Sequence, residues 1–220
     1  MGLSWPGVYA GAGTITGVDP REIQKSDVMV VWGGIPVNKQ VNVMSDVAIA
    51  CKERCAKLAC VDIYDTGTMK AADIKLLIKP GTDGALACAI MHVLFRDGYA
   101  NWNYLNQYTD DPKGLEAHLK DKTPEWAAEI CGCSVADIVE FAKLIGKTPK
   151  TFFRLGYGFS RSRNGAANMH AVNCIPVITG AWLHEGGGAL HSNSGIFKWN
   201  RTQIEALDAN NGQRVMDMSR

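Results

Sequence analysis

The fold turns on Lys79-Pro80-Gly81-Thr82-Asp83-Gly84-Ala85-Leu86, where an apolar run (Ile74, Leu76, Leu77, Ile78) meets a proline and a glycine and a helical pattern begins. Pro80 has no N–H for a sheet ladder, and Gly81 lets backbone approach closely. Thr82 or Asp83 can cap a helix that Leu86, Ile90, Val93 and Leu94 continue. The free N–H groups of that helix point into the crevice at the carboxyl end of the strand, which suits a phosphate or a polar ring edge. A carboxylate at Asp83 repels phosphate, so a ligand role for it calls for a donor-rich group such as a guanine edge or a ribose. An ordinary N-cap is the plainer alternative.

Upstream, Val28-Met29-Val30-Val31-Trp32 is continuously apolar and stops at Gly33-Gly34, the pattern of a parallel strand covered on both faces that feeds a crevice. Between Lys39 and Leu58, Val43, Val47, Ala50, Cys51 and Cys55 recur at helical spacing, and Ala59-Cys60-Val61-Asp62-Ile63 is a second strand. Strand, helix and strand imply a right-handed parallel crossover. Asp62 then ends its strand where dinucleotide folds place an acid against ribose hydroxyls, although the G-x-G-x-x-G fingerprint of a plain NAD site is missing. Asp19-Pro20-Arg21-Glu22-Ile23 reads as a short helix start, and Met1 to Gly17 as loop.

Downstream, helical segments are expected over Thr82–Arg96, Asn101–Tyr108, Gly114–Lys120 and Thr123–Ile130, followed by a capping box at Ser134 to Asp137 that opens a helix ending at Gly146. Trp102, Tyr104, Tyr108 and Trp126 read as core. Thr151-Phe152-Phe153-Arg154-Leu155 is a fourth strand, closed by Gly156-Tyr157-Gly158, with a helix from Asn164 to Trp182. Arg161, Arg163 and Asn164 lie in the connecting loop, where they either bind phosphate or a pterin or form a solvated basic loop. Gly186-Gly187-Gly188 reads as a flexible loop where backbone must pass close to something bulky. The expectation is one three-layer α/β domain over 1–220 with a mainly parallel sheet and a helical insertion, residues 1–20 and 186–220 being largely loop.

Composition bounds the rest. With 220 residues and 46% hydrophobic content the chain can bury a real core, and a net charge of +1 argues against a dedicated nucleic-acid surface. No apolar run approaches the ~18 residues of a membrane span, and neither compartment nor export is encoded. The seven cysteines include no C-x2-C pair, and Cys51 and Cys55, sharing a helix face, read as small buried hydrophobes rather than metal ligands. His170, His184 and His191 lack ligand spacing and read as surface or hydrogen-bonded histidines.

In this order the residues resemble an internal piece of the molybdopterin oxidoreductases of the dimethyl sulfoxide reductase and formate dehydrogenase type. The family's W-G-x-N-P, I-D-P-R, P-G-T-D-x-A-L, G-x-G and T-G-x-x-x-x-x-G-G-G are similar to Trp32-Gly33-Gly34-Ile35-Pro36, Val61 to Tyr64, Pro80 to Leu86, Gly156 to Gly158 and Thr179 to Gly188. The resemblance implies a Rossmann-like domain holding one molybdopterin guanine dinucleotide. Asp62 would meet the guanosine ribose and Asp83 the guanine edge, with Trp32, Gly33, Gly34, Pro36, Pro80, Gly81, Thr82, Gly156, Tyr157, Gly158, Arg161 and Asn164 around the cofactor. Ile35 stands where the family has Asn, and Ile63-Tyr64 where Pro-Arg is common.

A cysteine cluster motif, an assignable molybdenum ligand and the closing C-terminal domain are not found in these residues. The expectation is therefore a fragment that alone holds no molybdenum and shows no redox activity. Its parent would carry bis(molybdopterin guanine dinucleotide) molybdenum, with any iron–sulfur cluster in a preceding part. Its partners would be the cluster and cap domains of the same polypeptide and an electron-transfer subunit. The alternative is a non-catalytic nucleotide-binding or interaction module that keeps only the fold.

Overall fold

The structure is a computed structural model and describes residues 17–192, 200, 202–209, 212 and 214. Five strands form one all-parallel sheet: β1 (Val28–Trp32), β2 (Lys57–Asp62), β3 (Ile74–Leu77), β4 (Thr151–Leu155) and β5 (Gly188–Leu190), in the order β3-β2-β1-β4-β5. The chain winds outward from β1 through β2 to β3, then returns to the other side of β1 for β4 and β5. The order therefore reverses between β1 and β4, the kind of position where open parallel sheets bind ligands. Val28 to Trp32 register against Lys57 to Val61 on one side and Thr151 to Leu155 on the other. All five residues of β1 are buried, as its unbroken apolar run requires, and all five of β4 are buried too, Thr151 and Arg154 included.

The helices are α1 (Pro36–Lys39), α2 (Val41–Arg54), α3 (Gly67–Lys70), α4 (Asp83–Arg96), α5 (Trp102–Tyr108), α6 (Pro112–Leu119), α7 (Pro124–Cys131), α8 (Val135–Lys147), α9 (Gly165–Ile178) and α10 (Thr202–Glu205). Alternate strand residues face opposite layers. Val28, Val30, Trp32, Phe153 and Leu155 pack under α4, α7, α8 and α9, with Leu86, Ile90, Phe141 and Val172 among their neighbours. Met29, Val31, Leu58, Cys60 and Phe152 pack against α2 and a 3-10 turn (Pro20–Lys25) through Val43, Val47, Ala50 and Ile23. These are the three layers. Thr123 and Ser134 cap the helices expected to start there, each side chain accepting from the third helical residue, and Asp111 does the same for α6, which begins at Pro112 rather than at the expected Gly114. Among the described residues no helix is long and apolar enough to cross a membrane.

Several expectations need correction. Part of 186–220 is strand: β5 begins at Gly188 and pairs with Phe152 to Arg154. Gly186, Gly187 and Gly188 are buried, not a free loop. The close backbone passage expected of them is present: a Cβ on Gly187 would sit 2.2 Å from the Ala181 carbonyl oxygen. A three-residue strand that opens on glycine leaves no apolar run to read. α9 stops at Ile178 rather than Trp182, because Gly180 turns left-handed at φ +68. Cys55 lies beyond α2 in a left-handed C-cap and is exposed, so it does not share the helix face of half-buried Cys51. Tyr108 is 59% exposed, and Trp102, Tyr104 and Trp126 are half-buried, so these rings cover the core rather than fill it. Met1 to Thr16 and the last six residues lie outside the described residues.

Candidate functional site

The carboxyl ends of β1 and β4 are joined by their glycines. Gly156 N–H donates to the Trp32 carbonyl at 2.8 Å, and Gly158 N–H to the Gly33 carbonyl at 3.0 Å. A Cβ on Gly156 would stand 2.0 Å from the Gly33 oxygen, and one on Gly33, whose φ is +61, 2.5 Å from the Phe159 ring. These residues are glycine because the two loops cross each other at backbone contact. Gly34 completes the crossing, 3.3 Å from Gly156 by the same measure. The ligand approach expected at these positions is thus preceded by a structural demand.

Asp62 ends β2 and Asp83 begins α4, and both are buried, at 7% and 2% exposure. Asp83 Oδ1 accepts from Trp32 Nε1 at 2.8 Å. Trp32 is held in turn by Phe141 and Phe159, ring centroids 6.4 and 6.2 Å away. Asp62 Oδ1 accepts from the Ile63 N–H at 2.8 Å. Asp62 Oδ2 and Asp83 Oδ2 are buried with no partner among the described residues. Burial raises the Asp83 carboxyl to about 6, against the Trp32 hydrogen bond, and the neighbouring Asp62 charge adds to the rise. Burial likewise raises Asp62. Asp83 is the first helical residue rather than the cap. The cap position is Thr82, whose hydroxyl turns away to the Lys79 carbonyl at 2.6 Å.

The α4 end is secured by the start of α9, its neighbour on the same face of the sheet. Gly84 N–H donates to Asn168 Oδ1 at 3.1 Å, and Asn164 Nδ2 donates to the Gly81 carbonyl at 3.2 Å and to Asn168 Oδ1 at 3.2 Å. Gly81, at φ +80, faces Asn164 and Ser162. Asn168 is buried and was not anticipated; its signal was an amide on the otherwise apolar face of Met169 and Val172. The structure therefore brings together Trp32, Asp62, Gly81, Thr82, Asp83 and Asn164 at one end of the sheet. Pro36 is buried at the first turn of α1, Pro80 and Arg161 are exposed, and Tyr157 packs edge-on against the His191 ring with centroids 4.4 Å apart. Among the described residues no hydrogen bond links these four to the Asp62–Asp83 pair.

A buried carboxylate oxygen left open can only accept, so the pair asks for a ligand bearing several N–H or O–H donors. Each such bond would offset the desolvation that the empty oxygens suffer. A phosphate is not suited to this end. Among the described residues no group of three or more His, Cys, Asp or Glu side chains could hold a metal ion.

Residues 7–220 match the sequence family described as molybdopterin oxidoreductase. The chain is 37% identical over 203 residues to a probable oxidoreductase, YoaE, of Bacillus subtilis, covering 91% of this chain and 29% of that protein. It is 30% identical over 207 residues to a probable dimethyl sulfoxide reductase chain, YnfF, of Escherichia coli, covering 84% and 25%. It is also 28% identical over 178 residues to the F420-dependent formate dehydrogenase subunit alpha of Methanocaldococcus jannaschii, covering 81% and 26%. Acetylene hydratase from Pelobacter acetylenicus shares the fold, with a TM-score of 0.76 at 19% identity over 84% of this chain and 25% of that one. The chain thus spans between a quarter and 29% of the length of these relatives.

Proposed function

The chain belongs to the molybdopterin oxidoreductases, and we propose that it forms the part of such an enzyme that holds the guanosine end of a molybdopterin guanine dinucleotide. The family implies a molybdenum–pterin cofactor, and the guanine form is what the acceptor pair favours. The carrying observation is the two buried oxygens without partners, Asp62 Oδ2 and Asp83 Oδ2, at the ends of successive sheet crossovers. Guanine presents N1–H and N2–H together on one edge, and adenine has no such pair. Asp83 can meet both, because each carboxylate oxygen carries two lone pairs and the Trp32 bond uses one of Oδ1. Asp62 then takes a ribose hydroxyl.

When bound in the longer enzyme, the molybdenum centre supplies the two-electron or oxygen-atom transfer, and this chain supplies binding and orientation. Trp32 holds the Asp83 carboxylate toward the base, and Asn168 with Asn164 fixes the loop that presents it. The partners this reading implies are the cluster and cap domains of the same polypeptide and an electron-transfer subunit.

The test is calorimetric titration of the chain with GDP and ADP. GDP should bind more tightly, and Asp83→Asn should cost about tenfold in GDP affinity while leaving ADP unchanged, since hydrogen bonds to a charged group are worth about 1.5–3 kcal/mol. Equal GDP and ADP affinities in the unmodified chain would overturn the guanine assignment.

A further inference from the structure

On the other face of the sheet, among the α2-side residues, Arg154 projects from β4 beside Leu190 of β5. It is 6% exposed, yet it carries a full charge in the middle of a strand that otherwise reads Thr151-Phe152-Phe153-Leu155. Its Nη1 donates to three carbonyls at the strand ends: Leu155 at 2.9 Å, Leu190 at 3.0 Å and His191 at 2.7 Å. Those bonds fix the guanidinium plane without neutralising it. Nε is buried with no partner among the described residues. No acidic side chain forms an ion pair with Arg154 among the described residues, and burial works against its charge.

His191 does not answer that charge either. Its Nδ1 donates to the Leu155 carbonyl at 3.3 Å, since a carbonyl can only accept, and burial lowers the ring to about 4, so the imidazole is neutral at ordinary pH. Its Nε2 is a second buried atom without a partner.

Arg154 forms part of the wall of a cavity of about 440 Å³ whose rim carries Arg21, Lys39, Gln40 and Asp46. Asp19 already grips Arg21 through both carboxylate oxygens, and Gln24 bonds Asp46 at 2.7 Å. Lys39, exposed at the end of α1, and the fixed guanidinium remain as the two cations of this cavity not engaged by a carboxylate among the described residues. A buried, unneutralised guanidinium at the wall of a cavity is a costly arrangement unless an anion completes it, and its planar fork matches phosphate oxygens.

We propose that this cavity binds a phosphate group, held by Arg154 at its wall and by Lys39 at its rim. The site lies across the sheet from Asp83 and does not depend on the guanosine assignment.

The experiment titrates the chain with inorganic phosphate and, separately, with glycerol phosphate, using chloride at matched ionic strength as control. Phosphate binding should move the Arg154 Nε–H resonance, Arg154→Gln should weaken it at least about tenfold, and Lys39→Gln about threefold. Asp46→Asn removes the one acid at the rim and should tighten binding. Binding of glycerol phosphate as well would place the group on a larger ligand, and binding of phosphate alone would place it as a free ion. Should Arg154→Gln fail to fold, the variants of exposed Lys39 and half-buried Asp46 and the resonance in the unmodified chain still decide. An Arg154 resonance unmoved by either titrant, or affinities indifferent to all three substitutions, would overturn the proposal.

Discussion

The two wings of the sheet end in opposite charge. At the carboxyl ends of β2 and β3 two carboxylates are buried, each with an oxygen that nothing meets among the described residues. At the ends of β4 and β5 a guanidinium is buried, also with an unmet nitrogen. The backbone geometry is the same on both sides, parallel strands ending in short loops, but the bonding differs. Arg154 makes three hydrogen bonds, one to Leu155 of its own strand and two, to Leu190 and His191, that hold β5 to β4, so its charge is built into the fold. Asp83 makes one to another side chain, Trp32, and gives the fold little for the desolvation it suffers. A charge that ties strands together belongs partly to structure, and a charge the fold would do better without belongs to a ligand.

Substitution should separate the two. Arg154→Met keeps the volume of the stem and removes the donor of three buried carbonyls. It is expected to lower the unfolding free energy by about 2–4 kcal/mol, read from urea titration, because acceptors left unpaired in the interior keep their full desolvation penalty. A loss below about 1 kcal/mol would mean that the three bonds are incidental, and the contrast between the wings would fail on this side.

Asp83→Asn should act in the opposite direction. The amide oxygen can still accept from Trp32 Nε1, while the buried charge disappears. The folded carboxyl titrates at about 6 against an ordinary 3.8, so the folded state holds its proton longer than the unfolded one. Stability from this group is therefore full below about pH 4, falls as pH rises to about 6, and stays reduced above. Asn has no such dependence. The variant should match the parent in acid and exceed it by about 1–3 kcal/mol at pH 7, measured by thermal unfolding across pH. Together with the expected loss of GDP affinity, a stability gain would mark Asp83 as a residue kept for binding. A destabilised variant at pH 7 would return it to an ordinary helix-start role.

How much of this could be read beforehand follows from the range of the interactions. β1 was legible because it is a continuous apolar run that stops at glycine, and β2, β3 and β4 because short apolar stretches with few polar interruptions precede an acid, a Pro-Gly turn and a Gly-x-Gly turn. Asp62 and Asp83 were legible because each stands where a strand gives way to a loop or helix. β5 was not, since three residues starting at Gly188 hold their place by pairing with β4 rather than by their own pattern. The Trp32–Asp83 bond spans 51 positions and the Asn168–Gly84 bond 84, and no local period reports such links. Gly33, Gly156 and Gly158 were read as room for a ligand, whereas their first neighbours are one another. Arg154 did leave a trace, a lone charge in an apolar strand, but only the structure reveals carbonyls on one side of it and a cavity on the other.

The smallest effect expected is the most specific, because it asks whether the acidic wing is one site or two neighbouring acids. Asp62 raises the Asp83 carboxyl through space, a contribution that ranks behind burial and behind the hydrogen bonds opposing it. Asp62→Asn keeps an oxygen for the Ile63 N–H and removes only the charge, so the fold should be almost untouched. The Asp83 midpoint, followed by carbon-13 titration of its carboxyl, should then move down from about 6 toward the ordinary value, by less than burial moved it up. Removing a like charge can only favour ionisation of its neighbour, so an upward movement would point to a rearranged loop. An unmoved midpoint would mean that solvent screens the two carboxylates from each other. They could then still bind separate parts of a ligand, but they would not share the field that makes one donor-rich group preferable to two unrelated ones. A downward movement that vanishes on adding GDP would tie both oxygens to the same ligand, because a guanosine that donates to each carboxylate stabilises its ionised form and leaves little repulsion to relieve.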